Sequence, residues 1–290
     1  MADYQIFTDA TADLTDELMA NLPQIITIPM EITVGDTQYI YGLSNGISAD
    51  RFYDLLREGC FATTSQINPS VYTEMFENTL SQGKDIVYIC FSSGLSGTYQ
   101  SAMLAIEDLK EQYPQRNIYC IDSRAACGGE GFLVREAAKM QLKGLSAQQL
   151  SQWIEENKLN ICHWFTVDTF TFLKHGGRVS SSVAAIGTAL SIKPLLHVDC
   201  DGKLQAMEKP RGRQKALAAL MAHIESGWQP QYSRSVIISH ASDKPQALAL
   251  EQMISERFPD AEIFISDMGP IIGAHTGPGA LALFYWGNNR

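Results

Sequence analysis

The sequence predicts an α/β fold in two domains: an N-terminal mainly parallel, Rossmann-like sheet flanked by helices, then a C-terminal α/β domain. Three observations predict it. Short, continuous apolar runs such as residues 85–91 and 117–121 have the pattern of strands buried on both faces, as in a parallel sheet. These runs alternate with helix-length amphipathic segments, the signature of strand-helix-strand units. The chain has 290 residues, about twice a typical domain, and a second set of strands and helices begins near residue 158. The expected domains are residues 1–158 and 159–290, pressed together with a cleft between them.

The elements follow in order. Residues 4–8 read as the first strand, ending in the small and acidic loop Thr8-Asp9-Ala10-Thr11-Ala12-Asp13-Leu14. Thr15 is placed to cap a short helix over 16–21. Residues 24–34 alternate polar and β-branched side chains and read as one strand. Residues 49–57 put Phe52, Leu55 and Leu56 on one helical face. A polar loop over 62–70 leads to a helix over 71–81, with Ser70 as its expected cap. The buried run 85–91 passes into Ser92-Ser93-Gly94-Leu95-Ser96-Gly97-Thr98-Tyr99 and a helix over 100–112. After the strand at 117–121, Gly128-Gly129-Glu130-Gly131 leads into a helix over 132–142.

In the second unit, 161–167 is strand-like and 170–174 a short turn or helix ending in His175-Gly176-Gly177-Arg178. Residues 182–190 form an apolar helix rich in small side chains. The strands 195–198 and 203–207 flank Asp199-Cys200-Asp201-Gly202, an Asp-Gly hairpin signal. A helix over 212–226, a strand over 235–240, a helix over 245–258 and a strand over 262–266 follow. The glycine-flanked His275 segment reads as irregular, and the apolar stretch 280–286 closes the pattern. In such folds right-handed crossovers gather the loops after the strands along one edge, where ligands bind.

Composition narrows the function. The formal net charge is −10, which argues against nucleic acid and against docking on an anionic membrane, since both reward clustered Lys and Arg. The six cysteines, Cys60, Cys90, Cys120, Cys127, Cys162 and Cys200, form no C-x-x-C pair and no zinc spacing. They point to a reducing compartment. The N-terminus lacks the features of a signal peptide, and no apolar run reaches the roughly 20 residues that span a bilayer. A cytoplasmic protein without stable membrane insertion is expected.

Three enzyme signatures fail on inspection. Gly94-Leu95-Ser96-Gly97-Thr98 starts like a G-x-S-x-G nucleophile elbow, but Thr98 stands where the last glycine belongs. Gly277-Pro278-Gly279-Ala280-Leu281-Ala282 fits G-x-G-x-x-A without the surrounding strand-helix-strand unit or a following acidic residue. No P-loop exists, so nothing suggests that this chain binds ATP on its own. What remains is a set of hydroxyls, one histidine and one arginine on loops. Ser and Thr in such places ordinarily form turns and caps. At the N-terminus of a helix, hydroxyls and free N–H groups also hold anions, and two such sites on neighbouring strand ends could share one carboxylate. Arg178 follows two glycines, while its ordinary role is a surface salt bridge. The basic stretch Lys209-Pro210-Arg211-Gly212-Arg213-Gln214-Lys215 opposes the dipole of the helix it opens, a conflict that hints at an acidic partner.

Thr64-Ser65-Gln66, Ser92 to Tyr99, Gly176-Gly177-Arg178 and Gly273-Ala274-His275-Thr276-Gly277-Pro278-Gly279 occur in this order after the Thr8 to Leu14 opening. As a set they resemble the DegV family over essentially the whole chain. The resemblance implies a long-chain fatty acid, for example palmitate, stearate or oleate, buried between the two domains. It implies no further cofactor and no catalytic residue on this chain. A separate kinase subunit, related to dihydroxyacetone kinases, would phosphorylate the bound carboxylate. Carried over position by position, Thr64, Ser96 and His275 would hold the carboxylate. Arg178, Ser65 and Gly97 would lie near the head group, and Arg211 on the surface that meets the kinase. The sequence departs from the family pattern at Pro210, where a β-branched residue is expected, and at His175, often Lys or Arg. The competing readings are a serine esterase using Ser96 with His275 as base, which needs an acidic third member, and a regulatory protein in which lipid only stabilises the fold.

Overall fold

The computed structural model describes residues 3–43, 46–179, 191–288 and 290. The expected helix over 182–190 lies outside the described residues.

The N-terminal half contains β1 (Tyr4–Asp9), β2 (Ile26–Ile28), β3 (Met30–Val34), β4 (Thr37–Tyr41), α1 (Ala49–Arg57), β5 (Ala62–Thr64), α2 (Pro69–Leu80), β6 (Asp85–Cys90), α3 (Thr98–Gln112), β7 (Ile118–Asp122), α4 (Gly128–Leu142) and α5 (Ala147–Asn157). A four-stranded sheet runs β2-β1-β6-β7, parallel at every pairing. A small antiparallel sheet, β4-β3-β5, lies beside it.

The single strand expected over 24–34 is two strands in different sheets. Pro29 separates them, because it has no N–H for a ladder and its φ is fixed. Gly35, at φ +57°, then turns β3 into β4, which pairs Val34 with Thr37. That hairpin is absent from the sequence reading, although Gly-Asp between two alternating runs is its signal. Strand β5 likewise replaces part of the loop expected over 62–70. Helix α2 starts earlier than expected, since Asn68 is its cap and accepts from Ser70 N at 3.0 Å, with Pro69 in the first turn. The helix expected over 16–21 is a set of turns. Thr15 does accept from Leu18 N, but Asn21 turns left-handed at φ +61° before a helix develops. Helix α5 escaped the sequence reading, although Ser146 and Gln149 form a capping box at its start.

The C-terminal half contains β8 (Ile161–Thr166), α6 (Thr171–His175), β9 (Leu195–Val198), β10 (Leu204–Glu208), α7 (Arg213–Gly227), β11 (Ser235–His240), α8 (Lys244–Arg257), β12 (Glu262–Asp267), α9 (Pro270–Thr276) and β13 (Leu281–Trp286). Its six-stranded sheet runs β10-β9-β8-β13-β11-β12. Only β11 and β12 pair in parallel. Strand alternation divides its faces. Val236, Ile238, Leu281 and Leu283 pack on Leu217, Leu220, Leu250 and Ile254 of α7 and α8. Phe165, Leu196, Ile237, Ala282 and Phe284 join the core of the N-terminal half.

Helix α4 runs between the two larger sheets, with every residue from Gly128 to Ala138 buried. Its glycines belong to the helix rather than to a preceding loop, because they allow that close approach. A Cβ on Gly129 would sit 2.1 Å from His163 Nε2, and one on Gly128 would sit 2.6 Å from Ser239 Oγ. Among the described residues, no helix is long and apolar enough to cross a membrane.

Candidate functional site

Between the inner face of the six-stranded sheet and the loops at the ends of β5, β6 and β7 lies a cavity with about 780 Å³ of empty space, part of it open to solvent. Its walls are mostly apolar, with Phe91, Phe165, Ile271, Ile272 and Phe284 among them. Polar groups gather where Thr64, Ser65, Ser96, Arg178 and His275 meet. Small-molecule sites are commonly apolar concavities with a few convergent polar groups.

Each polar group is positioned by its element. Thr64 ends β5, whose pairing with β3 fixes it opposite Ile32, and its Oγ1 lies 2.8 Å from His275 Nε2. Ser96 sits in the turn between β6 and α3. Its Oγ accepts from Thr98 N at 3.2 Å and shares a 2.8 Å hydrogen bond with the Thr98 hydroxyl. The turn itself hangs from a buried carboxylate. Asp9 accepts from Phe91 N and from the Tyr88 hydroxyl, both at 3.0 Å, and from Thr11. The Thr11 hydroxyl also lies 2.7 Å from Glu130. Burial raises the pKa of both carboxyls. The opening Thr8 to Leu14 motif is thus the foundation of the Ser96 loop.

Gly97 does not line the cavity. A Cβ there would sit 2.1 Å from Gln66 Oε1, so its bare backbone lets the Thr64-Ser65-Gln66 loop close on the Ser96 turn. Arg178 follows Gly177 at φ +70°. Its Nε donates to Leu95 O at 3.1 Å and its Nη1 to Gly176 O, so it braces two loops. Burial lowers its pKa from the ordinary arginine value.

His275 lies in helix α9, not in the irregular segment expected. Pro270 starts that helix, and Gly277, at φ +75°, ends it. The glycines that suggested a loop serve packing instead: a Cβ on Gly273 would sit 2.5 Å from the Tyr53 hydroxyl. Burial, followed by the positive charges of Arg178 and His175, pushes the His275 pKa down to about 4. The imidazole is neutral at pH 7 and acts by hydrogen bonding. Its Nδ1 has no hydrogen-bond partner among the described residues and rests against Gly176, where a Cβ would sit 2.0 Å away.

No hydrogen bond joins Ser96 to His275, and no carboxylate holds His275 Nδ1 among the described residues. A serine-histidine-acid triad is not assembled here. Among the described residues no disulfide joins any of the six cysteines.

Arg211 is exposed and lies away from the cavity walls. Its segment pairs with residues 191–193, Lys193 N donating to Pro210 O and Gly212 N to Ser191 O. The acidic partner suggested by the basic stretch is internal. Arg213 meets Asp168 and Asp243, each at 3.0 Å, which offsets its charge in the first turn of α7. At α6, Leu173 lines the cavity and Phe170 does not.

His163 was overlooked. It faces the cavity from β8, with Nδ1 2.8 Å from Ile161 O, and burial holds its pKa well below the ordinary value. The alternation of Ile161, His163 and Phe165 is the signal that could have found it.

The family model described as "DegV: Uncharacterised protein, DegV family" matches residues 3–288. A DegV domain-containing protein of Clostridium perfringens is 41% identical over 290 residues, 100% of this chain and 99% of its own. A solved fatty-acid-binding DegV family protein from Thermus thermophilus has a TM-score of 0.85 at 27% identity, covering 98% of this chain and 99% of its own. The Streptococcus pneumoniae fatty acid kinase B3 protein, solved with linoleic acid, has a TM-score of 0.87 at 22% identity, covering 99% and 100%. At that identity it is a likeness of fold.

Proposed function

The chain belongs to the DegV family, and from that premise we propose that it binds one long-chain fatty acid and presents the carboxylate to a separate kinase subunit. Thr64, Ser96 and His275 hold the carboxylate, with Arg178 and Ser65 around the head group and Gly97 behind them, where its bare backbone lets the two loops close. The tail lies between the sheets, and Arg211 meets the kinase, a chain related to dihydroxyacetone kinases. The chemistry belongs to that partner, and this chain is a cytoplasmic carrier without a catalytic residue of its own. Division into domains at residues 158 and 159 is part of the same reading. It is supported by the gap between β7, which ends at Asp122, and β8, which begins at Ile161.

The observation that carries the reading is one apolar cavity whose polar lining converges on Thr64, Ser96 and His275. A sixteen-carbon acid has about fourteen methylenes, each worth roughly 0.8 kcal/mol when buried, or about 11 kcal/mol gross. Ordering the ligand removes a large part of this. The tail supplies affinity, and the hydroxyls and neutral imidazole orient the carboxylate, whose burial would be costly without them. The fatty acid of the Thermus thermophilus relative supports the ligand class. The motif resemblance and the fold shared with the pneumococcal protein support the kinase.

Native mass spectrometry of protein purified gently from a bacterial host tests the ligand. A mass increment that extraction identifies as a fatty acid is expected, and the apo mass alone overturns the reading. With the cognate kinase and ATP, acyl phosphate is expected. Its absence with lipid bound retains the carrier and removes the kinase role.

A further inference from the structure

We propose that Arg213 is a positioning residue for the head-group site, clamping the loops that hold the two short helices around His275. The inference rests on the fatty-acid reading above. The Arg213 Nη2 donates to Asp168 Oδ1 and Asp243 Oδ2, both at 3.0 Å, and to Gly279 O. Lys193 adds a 2.7 Å contact to Asp168. Two cations and two anions therefore meet at one point, with the Arg213 side chain only 16% exposed. Such a desolvated, charge-assisted group fixes geometry more firmly than a surface pair.

The ends of the clamp lead to His275 from both sides. Asp168 precedes α6, whose last residue, His175, is followed by Gly176 under the His275 imidazole. Gly279 follows α9, which carries His275 itself. Asp168 also packs on Gly279, where a Cβ would sit 2.6 Å from Oδ2, and Gly279 N is anchored to Ala241 O at 2.8 Å. Without the guanidinium, Asp243 and Gly279 O lose their shared cation, and Lys193 meets Asp168 alone. The α6 and α9 loops then lose their common anchor and His275 shifts against Thr64. Arg213 lies two positions beyond Arg211, so the same clamp joins the proposed kinase-facing segment to the carboxylate site.

The test compares palmitate with its methyl ester in binding to delipidated protein. Wild type should prefer the acid. Arg213→Met should lower that preference about tenfold with the ester affinity nearly unchanged, and Arg213→Lys should recover part of it. Arg257→Ala, in an exposed pair with Glu225, should alter neither. If Arg213→Met does not fold, Asp243→Asn serves, with a smaller loss in the same direction. An unchanged preference, or acid and ester weakened equally, overturns the positioning role. Wild type that binds neither ligand overturns the fatty-acid reading and this inference together.

Discussion

Asp13 is a side chain whose environment and charge disagree. It is 6% exposed, its carboxyl faces the Gly269 backbone N–H and the Cys127 thiol, which only partly offset its burial, and its backbone is left-handed at φ +47°. Burial pushes its pKa from 3.8 up to about 7, the Asp267 and Asp9 charges adding to the rise. In the unfolded chain the carboxyl ionises near 4, while in the fold it keeps its proton until about pH 7. Stability is therefore expected to fall as pH rises through that window and to level off above it. A gap of that size is worth roughly 4 kcal/mol. Asn tolerates the same backbone conformation and carries no charge. Asp13→Asn should flatten the slope between pH 4 and pH 7 and raise Tm at pH 8 by at least about 5 °C. Melting curves that keep the wild-type pH dependence would refute this. Ser96 bears on the ligand instead. Ser96→Ala removes a carboxylate donor in the proposed site and the acceptor for Thr98 N. Fatty-acid affinity should fall about tenfold, with about 1 kcal/mol lost in stability. Titration calorimetry showing wild-type affinity would remove Ser96 from the head-group site.

Helices α6 and α9 decide where His275 points, and neither is long enough to be stable by itself. They hold each other through bare backbone. Gly176 meets the imidazole, and a Cβ on Gly277 would sit 2.1 Å from the Phe172 ring. Gly176 and its neighbour Gly177 separate packing from backbone strain. Gly176→Ala has no left-handed φ to strain but drives a methyl into His275, so fatty-acid affinity should drop tenfold or more. Gly177→Ala has open space around it and φ +70°, so it should cost about 1 kcal/mol of stability with little effect on affinity. The same affinity loss in both variants, measured with delipidated protein, would mean that His275 placement is not the cause.

The molecule as a whole is two larger sheets joined by α4, with a small third sheet beside them and the cavity at their junction. A ligand that fills such a junction binds the folded state alone. Free ligand at about 100 times Kd then adds roughly 2.7 kcal/mol to stability. Delipidated protein should melt several degrees below the same protein reloaded with fatty acid. Equal melting temperatures after verified reloading would contradict burial of the tail between the sheets.

The sequence by itself determined what local patterns encode. Apolar runs set the buried strands β6 and β11 and the edge strand β7, which the fold leaves only half-buried, and amphipathic spacing set α1 and α3. The ordered motifs point to Thr64, Ser96, Arg178 and His275. Only the tertiary structure decided the rest, because it depends on contacts between distant segments. Pro29 divides one apparent strand because β2 and β3 find partners in different sheets. Gly129 and Gly273 are helical because neighbouring sheets and side chains press on them. Alternation puts His163 on the face of Phe165, but only the packing of the sheets makes that face a cavity wall, and only distant Asp168 and Asp243 resolve the charge conflict at α7. The resemblance carried the carboxylate reading. Tertiary packing made His275 neutral, through burial and the nearby cations, and gave the hydroxyls an apolar chamber to serve.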